Sequence, residues 1–293
     1  MKKIQRKFGG DWTQEKLERV RKYLVAYATI MNRQKFRYAY IDAFAGTGYR
    51  DLKLDEEKNI ALFPEVFEKD SQEFLEGSAR IALQVRPRFT KYIFIERDPV
   101  RFQELHKLRV DFPGLEKDIE LINADANSYL QDICLNKIWK SNRAVLFLDP
   151  FGMQVKWETI EAIASTKAID LWLLFPIGVA VNRLLKKDGK ITPSWKQRLD
   201  KLFGTTEWYK AFYQPKRELG LFGDQEGSEK SIGFEEIGQF FVTRLKSVFA
   251  GVAENPLPLF NSRNIPLYML CFASGNPRGA STAIKIAQDI LKR

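Results

Sequence analysis

Four short apolar runs in this chain each stop on residues able to hold a polar ligand. Tyr40-Ile-Asp-Ala-Phe-Ala-Gly-Thr-Gly48 carries a carboxylate, Asp42, inside the run, then Phe44, Gly46, Thr47 and Gly48. Lys91-Tyr-Ile-Phe-Ile-Glu96 ends on an acid, Ile119-Glu-Leu-Ile is followed by Asn123-Ala-Asp125, and Ala144-Val-Leu-Phe-Leu-Asp149 runs into Pro150, Phe151 and Gly152. Two glycines one residue apart let a backbone approach a ligand where a β-carbon would block it. The third glycine of a dinucleotide fingerprint is missing, since Tyr49, Arg50 and Asp51 come next, so a plain phosphate cradle is disfavoured. An Asp inside a buried strand needs a cation or hydrogen-bond donors to meet it. A carboxylate at Glu96 can accept from two ribose hydroxyls, and one at Asp125 from an adenine amino group. Each residue also has a plainer role, Asp125 as a helix cap and Glu96 as a partner of Arg97. Taken in succession, the strand ends point to an adenosyl cofactor.

Asp149-Pro-Phe-Gly152 fits a different task. An aniline-like nitrogen is a poor nucleophile; a carboxylate and the carbonyl of the following Pro can accept its two protons and turn its lone pair towards an electrophile. Positioning then supplies much of the rate. Phe151 or Trp157 could wall the base by stacking, whereas the bland alternative is a turn in which Pro150 and Gly152 end the strand. The stretch 40–48 is similar to the first motif of class I S-adenosylmethionine-dependent methyltransferases. Asp149-Pro-Phe-Gly resembles the Asp/Asn-Pro-Pro-aromatic motif of enzymes that methylate exocyclic amines, and more closely the Asp-Pro-Phe-Gly of tRNA dimethylguanosine methyltransferases. Gly152 stands where those enzymes place the base-stacking aromatic.

These residues need a scaffold that brings strand ends together. Thr13 to Met31 reads as a helix, with Thr13 as cap and Leu17, Val20, Leu24, Tyr27 and Ala28 on one face. The runs at 40–48, 91–96, 119–122, 144–149 and 170–175 read as parallel strands alternating with helices, including Val100–Val110 and a helix through Tyr129, Leu130, Ile133 and Ile138. The polar stretch 51–76 is long for a βα connection and reads as a lid-like loop. From 178 to 263 the pattern turns helical: Val179–Lys187, a helix opened by Thr192-Pro193 and closed by Gly204, and a stripe of Ile237, Phe240, Phe241, Leu245 and Val248. Gln214–Gly233 reads as a mobile loop. Leu267–Phe272 returns as a strand and Gly279–Leu291 as a helix. The expectation is an α/β, Rossmann-like, mostly parallel doubly wound sheet. It divides into an N-terminal helical segment (1–36), a cofactor-binding core (37–177), a helical insertion (178–263) and a closing strand and helix (264–293). A class I sheet normally ends in a strand hairpin; with only 267–272 evident, the sheet is expected to have six strands or an altered edge.

Composition sets limits. Lys and Arg outnumber Asp and Glu 47 to 37, a formal charge of +10 suited to a nucleic-acid partner, DNA or RNA. Two cysteines and one histidine argue against a metal site or a disulfide framework. No run reaches the length of a membrane span, and Met-Lys-Lys-Ile-Gln-Arg-Lys lacks the apolar segment of a signal peptide, so a cytoplasmic protein is expected.

The whole chain resembles the three-Cys-motif partner (TcmP) family. The resemblance runs from Phe8-Gly-Gly-Asp-Trp-Thr13 through Tyr40–Arg50, Asp149-Pro-Phe-Gly-Met-Gln154 with Lys156-Trp157, and Asp170–Pro176, to Phe272-Ala-Ser-Gly-Asn-Pro277. It implies a bacterial or archaeal methyltransferase fold encoded beside a phage-related protein whose three-cysteine motif is like that of radical S-adenosylmethionine enzymes. Iron–sulfur chemistry would then belong to that partner. Three functions arise as expectations: methyl transfer to an exocyclic amine of a nucleic-acid base, a catalytically silent module binding the partner or its nucleic acid, and methylation of a small molecule. Under the first, S-adenosylmethionine is held by Asp42, Phe44, Gly46, Thr47, Gly48, Glu96 and Asp125, and Asp149, Pro150 and Phe151 serve the amine.

Overall fold

The computed structural model describes residues 11–45, 77–220 and 223–292. Gly46, Thr47, Gly48, the 51–76 stretch and Phe8-Gly-Gly lie outside the described residues. Helix α1 (Asp11–Met31) leads into β1 (Arg37–Asp42). A helix over residues 77–84, α2, precedes β2 (Lys91–Glu96). Next are two short helices, α3 (Pro99–Leu105) and α4 (Lys107–Asp111), where one was expected. Then come β3 (Ile119–Asn123), α5 (Ala126–Asn136), β4 (Asn142–Leu148), α6 (Trp157–Ser165) and β5 (Ile169–Phe175).

The main sheet runs β3-β2-β1-β4-β5 in parallel, and β10 (Pro266–Ser274) lies antiparallel against β5. This is the expected Rossmann-like class I arrangement. Of the two alternatives expected at its far edge, six strands or an altered edge, the second is found. Two short strands, β8 (Gly251–Val252) and β9 (Leu257–Phe260), both pair antiparallel with β10, giving a sheet of eight strands among the described residues. Together they form the first arm of the closing hairpin, broken in the middle. Pro256 and Pro258 lack the N–H groups that a continuous ladder uses, which is why the strand signal in this stretch of sequence is so weak.

Each central strand is buried on both faces, which explains its unbroken apolar run. Period-two alternation sorts the side chains. Ile41, Ile93, Ile95, Leu146, Leu148, Leu171 and Leu173 face one core, closed by α5, α6 and the following helical block. Tyr38, Tyr40, Tyr92, Phe94, Phe147, Trp172 and Phe272 face the other, closed by α1, α2 and the terminal helix α11 (Ala280–Leu291). Rings interlock in that second core: Tyr23 and Phe272 centroids lie 4.7 Å apart, Trp172 and Phe272 5.0 Å, and Tyr27 and Phe89 are stacked at 6.1 Å.

The region 178–263 is not wholly helical. A single π turn, Ile177–Val181, with α7 (Asn182–Leu184), replaces the longer helix expected at 179–187. Gly178 is needed in this turn, because a β-carbon there would fall 1.8 Å from the Pro266 carbonyl oxygen of β10. Helix α8 (Pro193–Phe203) forms as expected, with Thr192 accepting from Trp195 N–H and Gly204 closing it at φ +65°. Arg244 secures that end, donating to the Phe203 carbonyl at 2.9 Å while its guanidinium lies 4.6 Å from the Trp157 ring centroid. After α9 (Trp208–Phe212), the expected mobile loop is a two-stranded hairpin, β6 (Tyr213–Gly220) with β7 (Gly223–Lys230). Its polar, Gly- and Pro-bearing sequence carries little strand propensity. Anchoring at the base supplies what propensity lacks: Ser231 N–H donates to Phe212, Lys230 N–H to Lys187, and the Tyr213 hydroxyl to the Lys186 carbonyl. Helix α10 (Phe234–Lys246) carries the expected stripe, burying Ile237, Phe241 and Leu245.

Candidate functional site

The parallel strands bring four of the expected acids to one edge of the sheet, where their carboxyl ends lie. Strand parity also sets the face. Asp42 follows Tyr38 and Tyr40, Glu96 follows Tyr92 and Phe94, and Asp149 follows Val145 and Phe147, so all three lie in phase with the aromatic face that α1 covers.

Asp42 is fully buried at the end of β1. Its Oδ2 accepts from the Ser78 hydroxyl of α2 at 2.7 Å and from the Tyr40 hydroxyl at 3.3 Å, while Oδ1 has no partner among the described residues. Burial pushes its pKa up to about 7; the Ser78 bond pulls down, the charge of Asp149 pushes further up, and the Phe44 backbone N–H and the Tyr40 hydroxyl pull down in turn. Beyond Asp42 the chain threads between its neighbours: Ala43 N–H donates to Phe147 of β4 and Ala45 N–H to Ile95 of β2. That path holds Phe44, half-buried, at the mouth of the turn.

Glu96 is buried at 6% exposure. Its Oε1 accepts from Asp98 N–H at 2.6 Å, and Oε2 is a second buried acceptor without a partner among the described residues. Burial raises its pKa. What holds Glu96 among the described residues is thus the backbone of Asp98, itself the N-cap of α3, with the backbone of Arg97 beside it. Asp125 does act as a cap: its Oδ1 accepts from Ser128 N–H and from the Ser128 hydroxyl, each at 3.0 Å, and among the described residues no bond is seen on its second oxygen. Asp125 is half-buried at the start of α5.

Asp149 is buried and its Oδ2 accepts from Lys16 Nζ at 2.6 Å; the two side chains are 8% and 3% exposed. Burial raises the Asp149 pKa and Lys16 opposes the rise. Past it, Pro150 is buried, Phe151 half-buried, and Gly152 turns at φ +64° with open space where a β-carbon would stand. Phe151 is therefore the candidate for a stacking wall. Trp157 is not: it is 2% exposed, donates to Glu161 at 2.9 Å, and packs edge-on to Phe241 and beneath Arg244. Gly204 makes room for it, since a β-carbon on Gly204 would meet the indole at 2.0 Å.

Two residues of the site stand outside the sequence-based expectation. Lys16 is one, at 2% exposure among Trp12, Val20, Tyr23 and Leu24 of α1. A signal exists for it: at i+4 from Trp12 and i–4 from Val20, a lysine occupies a stripe position otherwise apolar. Asn127 is the other, 6% exposed in the first turn of α5. It ties the segment after Asp149 in place, donating to the Gln154 carbonyl at 2.9 Å and accepting from Lys156 N–H at 3.0 Å and the Thr159 hydroxyl at 2.9 Å. Nothing local in the sequence announces a contact 27 residues away. Thr13, expected as a cap, is instead buried within the first turns of α1.

No family model and no curated protein matches this sequence. Among solved structures, a Legionella pneumophila protein assigned to family DUF519 is 17% identical, with 82% of this chain and 93% of that one covered, at a TM-score of 0.38. Thermotoga maritima spermidine synthase is 10% identical over 91% of this chain and 60% of its own, TM-score 0.37. A Geobacter sulfurreducens methyltransferase is 15% identical over 72% of this chain and 78% of its own, TM-score 0.30. Likenesses this loose say nothing of activity; the strand order and the buried acids stand on their own geometry. No helix among the described residues is long and apolar enough to cross a membrane.

Proposed function

We propose that this chain is an S-adenosylmethionine-dependent methyltransferase acting on an exocyclic amine of a nucleic-acid base. The observation that carries the reading is a buried Asp149-Pro150 pair at one sheet edge with two buried carboxylate oxygens, Asp42 Oδ1 and Glu96 Oε2, that lack partners among the described residues. Buried acceptors without donors cost about 1–3 kcal/mol each and are rare unless a ligand completes them. They suit a ligand carrying a cationic or amino group near β1 and ribose hydroxyls near β2. Asp42, Phe44, Glu96 and the second oxygen of Asp125 would hold the cofactor, with Gly46, Thr47 and Gly48 as further expected contacts. The cofactor supplies a methyl group on an excellent leaving group. The chain orients the amine: Asp149 accepts one N–H, the Pro150 carbonyl accepts the other, and Phe151 offers a ring for the base.

A nucleic-acid substrate is supported by charge and by the segment beyond β5, which leaves the sheet at the same edge. There Lys186, Lys187, Lys190, Lys196 and Lys201 are exposed. Lys186 lies 5.5 Å from the Trp195 ring centroid and Lys196 5.1 Å from that of Tyr209, the interleaving of cations and rings that suits a polyanion with stacked bases. The TcmP resemblance adds a three-Cys-motif, radical-enzyme-like protein as an expected partner. A silent binding module is favoured by one observation, the Lys16 ammonium already seated on Asp149. Small-molecule methylation fits the net charge of +10 less well.

Asp149→Ala decides between these. Methyl transfer to oligonucleotides should fall by about 10²-fold or more, while S-adenosylmethionine affinity by calorimetry stays near that of the wild type. Equal loss of both would remove the division of roles. Stable copurification with the three-cysteine protein and no transfer to any nucleic acid would leave the binding module.

A further inference from the structure

The Lys16–Asp149 pair does more than fasten a helix. A carboxylate serves an amine by accepting its protons, and it does so on both oxygens only while ionised; a protonated carboxyl presents a donor that competes with the amine. Asp149 sits where ionisation is disfavoured. It is buried at 7% exposure, and Asp42, with Tyr40 beside it, faces it from the neighbouring strand. Ser78 of α2 touches Asp42, and α1 brings a cation to Asp149, Lys16 at 2.6 Å. Lys16 takes Oδ2, and among the described residues no donor is seen on Oδ1 or on the Pro150 carbonyl, the two acceptors that an amine needs.

We propose that Lys16 is a positioning residue for methyl transfer: by binding Oδ2 it fixes the rotamer of Asp149 and keeps the carboxylate ionised, so that Oδ1 stays a pure acceptor. The proposal rests on the amine-orienting reading of Asp149. It also explains why a lysine is buried in the apolar stripe of α1, where methionine would pack without desolvating a charge. A buried ion pair is weak evidence for stability, and breaking one by removing a single partner leaves an uncompensated charge. Here removal of the lysine has a relief route, since Asp149 can take up a proton, and that uptake is the measurable signature.

The test uses the full chain with carboxyl-labelled Asp, followed by carbon NMR across pH, in wild type, Lys16→Met, Lys16→Gln and Lys16→Arg, with Asp149→Asn to assign the resonance. Loss of a charge at hydrogen-bonding distance should move the Asp149 titration up by about 1–3 pH units in Lys16→Met and Lys16→Gln, and Lys16→Arg should restore it. The acid limb of kcat for oligonucleotide methylation should move by the same amount, with the KM for cofactor unchanged. If Lys16→Met does not fold, Lys16→Gln, which keeps an N–H donor without the charge, carries the comparison. A folded variant whose Asp149 titration and acid limb stay where the wild type has them overturns the proposal and leaves Lys16 as an anchor for α1. Absence of transfer by the wild type, with the titration shifted in the variants, instead sinks the methyltransferase reading; the two failures are distinct.

Discussion

Two buried carboxylates at opposite strand ends of the same sheet show what separates an acid that builds a fold from one prepared for a ligand. Asp170 begins β5. The Tyr23 hydroxyl donates to its Oδ2 at 2.7 Å and the Ser274 hydroxyl to its Oδ1 at 2.6 Å, so each oxygen has a donor. Asp42 ends β1 and also receives two hydroxyl donors, but Ser78 and Tyr40 converge on the same oxygen; the Phe44 backbone N–H adds a lesser pull, and Oδ1 has no partner at full hydrogen-bond geometry among the described residues. Both are buried and both are pushed up by that burial, Asp170 to about 6 and Asp42 to about 7. Burial therefore does not distinguish them; the distribution of hydroxyl donors over the oxygens does. A carboxylate with one sealed, empty acceptor is stable only because the rest of the fold holds it, and a donor-bearing ligand converts that cost into affinity.

The comparison breaks most visibly if Asp170 is emptied. Asp170→Ala strands the hydroxyls of Tyr23 and Ser274 within the aromatic core, and chemical denaturation should show a loss of about 3 kcal/mol. Cofactor affinity should not change; a matching fall in affinity would mean that the two acids are not separate devices. Asp42→Asn runs the other way. Its amide oxygen still receives Ser78 and Tyr40, so stability at pH 8 should hold or rise, while affinity for S-adenosylmethionine drops about 10- to 100-fold, or roughly 1.4–2.8 kcal/mol. The pH dependence has a definite sign. An Asp raised to about 7 in the fold, against about 3.9 in the unfolded chain, binds its proton more tightly when folded. Its contribution to stability is thus full below about pH 4 and is lost as pH rises through about 7. A ligand that needs the ionised form behaves oppositely, gaining about tenfold in affinity per pH unit until about pH 7, and Asp42→Asn should abolish that slope. A flat wild-type profile would show that Oδ1 takes no part in binding.

Legibility in the sequence divides along the same line. Strands buried on both faces must be apolar throughout, so β1, β2, β4 and β5 are visible as runs, and acids that end such runs draw attention to Asp42, Glu96 and Asp149. Residues whose meaning depends on a partner far along the chain stay silent. Lys16 meets Asp149 across 133 residues and Asn127 reaches Gln154 across 27. The broken arm β8–β9 is hidden because its prolines suppress the strand signal, and the β6–β7 hairpin because contacts at its base, rather than propensity, hold it. Trp157 illustrates the converse error, an aromatic close to the motif in sequence but drawn into the core by the gap that Gly204 leaves.

The smallest expected effect is the sharpest test of the distinction, because it applies one chemical change at both ends of the sheet. Ser78→Ala removes the donor to Asp42 Oδ2, and Ser274→Ala removes the donor to Asp170 Oδ1; both serines are buried and both bonds are short. The Ser78 bond is the first of the influences that hold the Asp42 pKa down, so its loss pushes that pKa higher. The affinity profile for S-adenosylmethionine should therefore shift to higher pH by up to about one unit, equivalent to about 1.4 kcal/mol. Binding then weakens severalfold at about pH 7 and approaches the wild type at about pH 9, where Asp42 is ionised in both proteins. Ser274→Ala should shift no binding profile at any pH. It should instead lower stability at pH 8 by about 1 kcal/mol, since the charged form of Asp170 loses one of its two donors. Its stability deficit should shrink towards about pH 5, as Asp170 takes up a proton and asks less of its neighbours. If both serine variants moved the same observable by the same amount, the position of the bare oxygen would carry no information, and Asp42 would be one more structural acid.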